Sequence, residues 1–340
     1  MKFHSKRNTL ARLTLLLAVA AASYCCQSNT EKTTETAEKI LVKSPDFNAD
    51  SAFYFVQKQV DFGPRVPNTS AHEKCGDYLV ETLKKYGFNV TEQKFTATTY
   101  DGKKLNARNI IGSYRPDAAK RLLYASHWDS RPIADQDSVK TTKAVPAAND
   151  GASGVGVLLE IARVISVQAQ KPEIGIDIIF FDAEDWGNSE VATDEYAGFC
   201  LGSQYWAKNK HQSNYTAYFG ILLDMVGAKG AVFQKEGYSM QLASDVVNTV
   251  WNTASQLGYS NFFIDQRGPA ITDDHLPVNK DAKIPMIDII HTQQNNLSHT
   301  FFDQWHTSED NMSHIDPKTL KAVGQTLMQV VYQESEPEIL

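Results

Sequence analysis

The chain has 340 residues, enough for one large α/β domain or two smaller ones, and 42% of them are hydrophobic, which is ample for a core. Its formal charge is −7. Because nucleic-acid phosphates require a basic surface, this acidic balance argues against a nucleic-acid partner.

The first 25 residues have the pattern of an export signal. The n-region contains four basic residues, Lys2, Lys6, Arg7 and Arg12. The apolar run that follows, "LTLLLAVAAAS", is too short to span a bilayer as a mature helix. Cys25 and Cys26 stand where a lipoprotein signal places its acylated cysteine. We therefore predict a signal peptide of lipoprotein type over 1–25 and a periplasmic protein that a lipid at Cys25 or Cys26 anchors to the membrane. Removing the segment up to Ser23 would lower the formal charge from −7 to −11.

Residues 26–44 are polar, rich in Thr, Glu and Lys, and have no hydrophobic periodicity. Such a composition is typical of a flexible tether. We expect the folded catalytic domain to occupy residues 45–340.

The domain alternates strand and helix patterns. "HEKCGDYLVETLKKYGF" has helical spacing and ends in glycine, and "VTEQKFTATTY" and "NARNIIGSY" alternate as strands do. Four apolar runs follow: "RLLYASHWD", "IGIDIIFFDAED", "FGILLDMVG" and "IPMIDII". The helical segments between and after them are "GASGVGVLLEIARVIS", "MQLASDVVNTVWNTASQLG" and "DPKTLKAVGQTLMQVVYQ". This order predicts an α/β fold, a single α/β/α sandwich around a central, mostly parallel mixed sheet.

Cys75 and Cys200 are the cysteines left in the body of the chain, so no disulfide framework supports the fold. The sequence favours two buried thiols and leaves a pairing between them open. Arg65 and Arg131 are predicted to be structural, binding loop carbonyls rather than substrate.

Polar side chains gather at the predicted ends of the apolar runs. In a parallel sheet these ends face a common crevice, where functional groups collect. The candidates are His127, Asp129, Glu184, Asp185, Asp224 and Asp288.

Two further segments, "AANDGASG" with Asp150 and "QWHTSED" with His306, complete the candidate site. Taken singly, Asp150 is typical of a helix N-cap and His306 of an ordinary hydrogen-bonded histidine. Together with the acids of "FFDAEDWG", and with no arginine or lysine expected beside them, they predict a metal ion as the compensating charge. Two carboxylates and one imidazole suit Zn²⁺ and leave it an open coordination position.

These segments resemble a family, the zinc-dependent glutaminyl cyclases of the animal and bacterial type, which share their fold with the zinc aminopeptidases of the M28 class. The matching segments are "FGPRVPNTSAHEKCGDYLVETL", "SHWDSRP", "NDGASGVGVLLEIAR", "FFDAEDWG", "LLDMVGA", "TDDHLPV" and "WHTSEDN". Together they are specific to the superfamily, whereas the choice of branch depends on fewer residues.

The resemblance implies a role for each acid. The ligands of one zinc ion per chain would be Asp150, Asp185 and His306. Glu184 would be the general acid/base, with Asp224 and Asp273 in a hydrogen-bond network beside it. The family usually has glutamate at the position of Asp185. The shorter aspartate is a conservative departure from that pattern. Asp288 stands where animal cyclases carry a histidine that lines the pocket, so that role is not carried over unchanged.

Aromatic residues flank two of these ligands. Trp186 directly follows Asp185, and Trp305 directly precedes His306. Both are suited to line the pocket and exclude water from it. Phe301 and Asp288 are predicted to line the same substrate pocket.

The implied reaction needs few parts. An N-terminal glutamine closes on itself when its α-amine attacks its γ-carboxamide carbon, which releases ammonia and leaves pyroglutamate. The metal polarises the carbonyl while a base moves a proton from the amine to the departing nitrogen. The predicted partners are therefore peptides or proteins with N-terminal glutamine.

Two other functions compete with this prediction. In a two-zinc aminopeptidase, His127 and Asp224 would hold a second ion and Asp150 would bridge the pair. "DDHLP", "HWDSRP" and the two tryptophans favour the cyclase. A non-catalytic binding protein on a decayed hydrolase fold would have lost a ligand or the base, and none is lost.

Overall fold

The computed structural model describes residues 43–139, 141–293 and 301–335. The signal peptide predicted for 1–25, with Cys25 and Cys26, and nearly all of the tether lie outside the described residues, so their boundaries stay predictions. Among the helices of the described segments, none combines the length and the apolar character needed to cross a bilayer.

Eight strands form in the described part of the chain. In chain order they are β1 (Asn89–Thr98), β2 (Lys104–Tyr114), β3 (Arg121–His127), β4 (Gly175–Phe181), β5 (Phe219–Asp224), β6 (Phe233–Lys235), β7 (Phe263–Arg267) and β8 (Met286–Ile290). Six of them build the central sheet in the order β1-β2-β4-β3-β5-β8. β4, β3, β5 and β8 run parallel to one another, and β2 and β1 add antiparallel at one edge. The prediction of a mostly parallel mixed sheet is confirmed.

Helices cover both faces of this sheet. In the described segments they are α1 (Ala49–Val60), α2 (Ser70–Lys85), α3 (Ala152–Val167), α4 (Leu201–Lys208), α5 (Gly237–Leu242), α6 (Ser244–Gln256), α7 (His275–Pro277) and α8 (Pro317–Glu334). Successive strand residues point to opposite faces, so Ile221 of β5 packs in the core shared with α1, α3 and α8, while Leu222 packs in the core shared with α4. The predicted α/β/α sandwich is confirmed.

The C-terminal helix begins as its sequence predicts. The Asp316 side chain accepts the backbone amide of Lys318 at 2.9 Å, and Pro317 occupies the first turn, where its missing N–H costs nothing. Gln325 and Gln329 of α8 hold the start of the described chain, since their side-chain oxygens accept the amides of Phe47 and Ser44.

Two features differ from the pattern in the sequence. The single helix expected over "MQLASDVVNTVWNTASQLG" is two helices, because Ala243 leaves the helical conformation (φ −150°, ψ 45°) and separates α5 from α6. β6 and β7 form a separate two-stranded parallel sheet that the sequence did not indicate. Cys75 and Cys200 are both buried free thiols, as favoured.

Candidate active site and metal centre

The candidate site lies at the carboxyl edge of the parallel strands. In the register of the sheet, His127 pairs with Phe181, the last residue of β4, and Ala125 pairs with Leu222 of β5. The three strands therefore end side by side, and the residues that follow them meet in one place. This is why Glu184, Asp185 and Asp224 approach His127 although they are distant in sequence.

Asp150, Asp185 and His306 come together as a possible metal centre. One donor atom of each lies within 4.8 Å of the other two, and all three residues are buried. His306 Nε2 is 3.1 Å from Asp185 Oδ1 and 3.8 Å from Asp150 Oδ2. Asp185 Oδ2 is buried without a hydrogen-bond partner among the described residues. Two carboxylates, one imidazole and an unsatisfied buried oxygen fit a zinc ion.

The turns that carry these residues have left-handed backbone. Positive φ angles occur at Ala183 (55°), Met225 (50°) and His306 (56°), each at or next to a site residue. Such angles cost free energy in a residue with a side chain and are concentrated where function needs a fixed geometry. Gly151 has φ 89°, and a Cβ there would lie 2.7 Å from His127 Cε1, so the turn after Asp150 requires glycine.

The three acids of "FFDAEDWG" have three different surroundings. Both carboxylate oxygens of Asp182 lie 2.9 Å from His72 Nε2 and form hydrogen bonds with it. Asp185 forms a metal trio with Asp150 and His306, and Glu184 lines a cavity beside that trio. The expectation that no basic side chain lies beside these acids was wrong, because Arg131 Nη1 contacts Asp185 Oδ1 at 3.0 Å. The loop after β3 brings Arg131 onto Asp185, although the two residues are 54 positions apart in the chain.

Arg131 thus has a wider role than predicted. It also pairs with Asp135 at 2.6 Å, and Asp135 in turn lies 3.5 Å from His306 Nδ1. Asp135 therefore lies between the Arg131 guanidinium and the Nδ1 side of the His306 ring, where groups that orient a metal-ligating histidine are found. Arg65 behaves as predicted and donates to the carbonyl of Ala147 at 2.7 Å.

His127 lies between three aspartates. Its Nε2 is 2.9 Å from Asp150 Oδ1 and 3.2 Å from Asp224 Oδ1, and its Nδ1 is 3.6 Å from Asp129. Burial lowers the pKa of His127, but the aspartates outweigh it and raise that pKa well above its ordinary value. Donor atoms of His127, Asp150 and Asp224 also lie within 4.8 Å of one another, so the residues of the two-metal alternative are likewise brought together.

Glu184 lies in a buried group of acids. Burial raises its pKa well above the ordinary value, and the charges of Asp185 and Asp273 add to this effect. Burial likewise raises the pKa of Asp224 to about 6 and that of Asp273 well above its usual range. Carboxyls in such a group share protons and titrate together, so the group can hold a proton and release it.

A cavity of about 310 Å³ opens beside these groups. Glu184, Asp224 and Asp273 line it, together with the metal trio. Its apolar wall includes Tyr196, Met225, Ile271, Ile290, Phe301 and Trp305. The Trp305 ring stacks on His306 with centroids 3.6 Å apart, and Phe301 packs on Trp305 at 4.9 Å.

Two predicted pocket residues lie elsewhere. Trp186 is not among the residues that line the cavity, because its ring packs with Phe95 and Ala183 and its indole N–H donates to Asp101 at 3.3 Å. Asp288 is also outside the lining: it sits in the middle of β8, fully buried, opposite Leu222. Being next to a ligand in sequence does not make a residue face the substrate, since neighbours in a turn point in different directions.

Two supporting residues carry no clear signal in the sequence. The sequence indicates Asp129 only as a polar residue after a strand, whereas its carboxylate accepts the backbone amides of Glu184 and Asp185. The sequence indicates no role for Asp310, whose carboxylate accepts the backbone amides of Asn149 and Asp150. An aspartate within two to four residues of a candidate ligand is the only signal that could have indicated them.

An α/β/α sandwich with this carboxylate and imidazole centre defines a metal-dependent enzyme. Residues 109–331 match Peptidase family M28, and the chain belongs to that family.

The chain is similar to a solved glutaminyl cyclase from Bacteroides thetaiotaomicron bound to N-acetylhistamine, with 52% identity, a TM-score of 0.81, and coverage of 85% of this chain and 99% of that one. It is also similar to a Zn-dependent exopeptidase from Parabacteroides distasonis, with 54% identity, a TM-score of 0.82 and coverage of 85% and 99%. The glutaminyl-peptide cyclotransferase of Drosophila melanogaster is 26% identical over 283 residues, 75% of this chain and 73% of that protein.

Proposed function

We infer that the chain is a zinc-dependent glutaminyl-peptide cyclotransferase, which converts the N-terminal glutamine of peptides and proteins to pyroglutamate and releases ammonia. The observation that carries this inference is the cavity of about 310 Å³ that Glu184 lines together with Asp150, Asp185 and His306. The similarity to a glutaminyl cyclase over almost the whole of that chain supports it. The cavity volume is at the lower end for small-molecule sites and suits one side chain with its own amine.

The residues of the chain account for the proton transfers. Glu184 takes a proton from the substrate α-amine as the bond from that nitrogen to the γ-carboxamide carbon forms. It returns the proton to the amide nitrogen, which leaves as ammonia when the C–N bond breaks. Asp224 and Asp273 lie beside Glu184 in the cavity wall and share the proton with it.

Asp150, Asp185 and His306 would hold the zinc ion, which supplies a Lewis acid for the γ-carboxamide carbonyl. Trp305 and Phe301 form an apolar wall over His306 and restrict the entry of water. Exclusion of water matters here because water is the nucleophile that competes with the substrate amine.

We propose that one zinc ion per chain suffices. Asp150, Asp185 and His306 supply the three protein ligands of a catalytic zinc ion with an open position, and the cyclisation needs no metal-activated water because the nucleophile is the substrate's own amine. The alternative function, a two-zinc aminopeptidase, requires His127 and Asp224 to turn to a second ion.

The test is a metal titration of the apo-protein on two substrates, glutamine amide and leucine amide, with bound zinc counted at each step. The proposal expects ammonia and pyroglutamate from glutamine amide to reach their full rate at one zinc per chain, with no hydrolysis of leucine amide. Full activity only at two zinc ions, with release of leucine, would establish the aminopeptidase instead.

We also propose that the enzyme is exported and acts in the periplasm, anchored by lipid at Cys25 or Cys26. The basic n-region and short apolar run of the first 25 residues support this placement. There the enzyme would meet secreted chains whose processing exposes glutamine. Mass analysis of the mature N-terminus after cell fractionation tests it: a cytoplasmic protein that retains Met1 would contradict export, and an unmodified N-terminus in an exported protein would contradict the lipid alone.

A further inference from the structure

A third group of metal-binding side chains lies beside the general base. One donor atom each from Glu184, Cys200 and Asp273 lies within 4.8 Å of the others, and all three residues are buried. We propose that this group is an inhibitory site for a thiophilic divalent cation, Cd²⁺ or excess Zn²⁺, separate from the catalytic metal centre.

The spacing of the donors suits such an ion. Cys200 Sγ lies 3.6 Å from Glu184 Oε1. A tetrahedral zinc ion, with Zn–S of about 2.3 Å and Zn–O of about 2.0 Å, holds its sulfur and oxygen ligands roughly 3.5 Å apart. The sulfur and the carboxylate oxygen of this pair are therefore spaced as two ligands of one zinc ion are.

The backbone fixes Cys200 in this position. Its φ of 60° is left-handed, and its amide donates to the Glu184 carbonyl at 3.0 Å. The next amide, of Leu201, donates to the Ala183 carbonyl at 3.2 Å. Because two backbone bonds join the start of α4 to the turn that carries the base, the sulfur is held against the Glu184 carboxylate.

Asp273 supplies an oxygen that is ready for a cation. The residue is 4% exposed and lines the cavity, so an ion can reach it through the opening. Its Oδ1 accepts the amide of Asp274, whereas its Oδ2 is buried with no hydrogen-bond donor among the described residues, and the carboxyl of Asp288 lies within hydrogen-bonding reach of Asp273. Two buried carboxyls side by side are costly, and a cation would relieve that cost.

Binding exchanges protons for the metal. The S–H bond of Cys200 breaks, and its proton passes to solvent together with the protons that the Glu184 and Asp273 carboxyls share. The sulfur then bonds to the cation with one oxygen each from Glu184 and Asp273. The inhibition depends on the proposed role of Glu184, because the ion holds the carboxylate that would accept the substrate proton. The binding itself does not depend on that role.

The experiment titrates Cd²⁺ into the full chain loaded with one zinc ion. Thiolate-to-cadmium absorption in the ultraviolet reports binding, turnover of glutamine amide reports inhibition, and zinc in the ultrafiltrate reports any displacement of the catalytic metal. We expect absorption and inhibition to rise together while zinc stays bound. In Cys200→Ser the absorption step should disappear, and half-inhibition should need at least about tenfold more Cd²⁺.

Cys75→Ser is the matched control, since Cys75 is the other buried free thiol among the described residues, lies in α2 and belongs to none of the candidate metal-binding groups found there. It should behave as the wild type does. Any absorption from Cys25 or Cys26 is the same in all three proteins, so it cancels in the comparison.

Three outcomes would overturn parts of the proposal. Release of zinc in step with inhibition would show that Cd²⁺ acts at the catalytic metal centre instead. Equal absorption and inhibition by Cd²⁺ in wild type and Cys200→Ser would show that Cys200 is not a ligand. Either result would refute the proposed site. Absorption without inhibition would keep the site and refute its effect on Glu184. If Cys200→Ser does not fold, cadmium-113 NMR of the wild type decides, because a thiolate ligand moves the resonance far downfield of one from oxygen and nitrogen ligands.

Discussion

Asp310 holds the backbone of Asp150: its Oδ2 accepts that amide at 3.0 Å while its Oδ1 accepts the preceding amide, of Asn149, at 2.8 Å. Asp129 does the same for the turn after β4, where its two oxygens accept the amides of residues 184 and 185 at 3.0 and 3.2 Å. Neither aspartate lines the cavity. Each instead fixes two consecutive peptide groups, and so the direction in which a predicted ligand points.

Replacing Asp310 by Asn should weaken zinc binding. The amide group of Asn keeps one acceptor but presents N–H donors to a second backbone N–H, so the turn that carries Asp150 loses one bond. We expect about a 10- to 100-fold loss of zinc affinity, as for other residues that orient metal ligands. Competition with a chelator measures it, and kcat at saturating zinc should fall much less than the affinity.

Glu309→Gln is the control, because Glu309 is the exposed neighbour of Asp310 and lies outside the cavity lining. Its zinc affinity should equal that of the wild type. An Asp310→Asn enzyme with unchanged zinc affinity would mean that the two amide bonds do not position Asp150.

Glu184→Gln should keep the zinc and lose turnover. Gln has nearly the same shape but cannot accept the substrate proton, and general acid/base catalysis contributes roughly 10² to 10⁴-fold to rate. The measurement is kcat on glutamine amide with bound zinc determined on the same sample. A fully active Glu184→Gln enzyme is incompatible with its role as the base.

Substitution of a predicted ligand should have the opposite signature. Asp150→Ala, Asp185→Ala and His306→Ala should each lose zinc before they lose anything else, because each removes a donor atom from the trio. Zinc content at a fixed chelator concentration separates them from Glu184→Gln. Removal of the metal should leave the fold intact, since the sheet has its own apolar core.

The sequence indicates the strands and the acids that follow them because burial on both faces produces long apolar runs that end abruptly. It could not indicate Asp129 or Asp310 as supports, because their partners are backbone amides 55 and 161 residues away, which leave no trace in residue type. Arg131 is structural as predicted and donates to the Gly187 carbonyl at 3.1 Å. Its additional contact with the Asp185 carboxylate could not be predicted, because it arises from the folding of the loop after β3.

Asp288 and Trp186 lie outside the predicted substrate pocket for a different reason. "IPMIDII" has one polar residue near its end, but the strand continues through Ile290, so Asp288 points into the protein interior instead of leaving the sheet. Trp186 follows Asp185 directly, and adjacent residues in a turn diverge. A sequence pattern locates a residue along a helix or strand. The direction of its side chain depends on backbone angles such as the positive φ of Ala183.

Asp274 should make the stability depend on pH. Burial raises its pKa to about 7 from an ordinary value of 3.8, although Ser203 donates to it. Between these values the folded protein holds a proton that the unfolded chain has released, so the free energy of unfolding falls as pH rises from about 4 to about 7. Asp274→Asn removes this contribution and should gain roughly 2–3 kcal/mol relative to the wild type on going from pH 5 to pH 7.5.

Urea unfolding of both proteins at the two pH values measures the difference. Asp117→Asn serves as control, because Asp117 is exposed and its substitution should leave the pH dependence of the wild type unchanged. Equal slopes for Asp274→Asn and the wild type would show that Asp274 is ionised in the folded protein.

The two tryptophans beside the predicted ligands should respond differently to the same substitution. Trp305→Leu removes the ring that stacks on His306 and lines the cavity, so kcat/KM for glutamine substrates should fall on the order of tenfold or more, since about 1.4 kcal/mol of lost contact is tenfold in rate. Trp186→Leu should keep kcat/KM within a few-fold but lose roughly 1–3 kcal/mol of stability, because its ring packs away from the cavity and its N–H bond to Asp101 is lost. Steady-state kinetics and thermal unfolding of the pair decide it. If Trp186→Leu lost kcat/KM and Trp305→Leu lost only stability, the wall of the substrate pocket would have to be reassigned to the turn after β4.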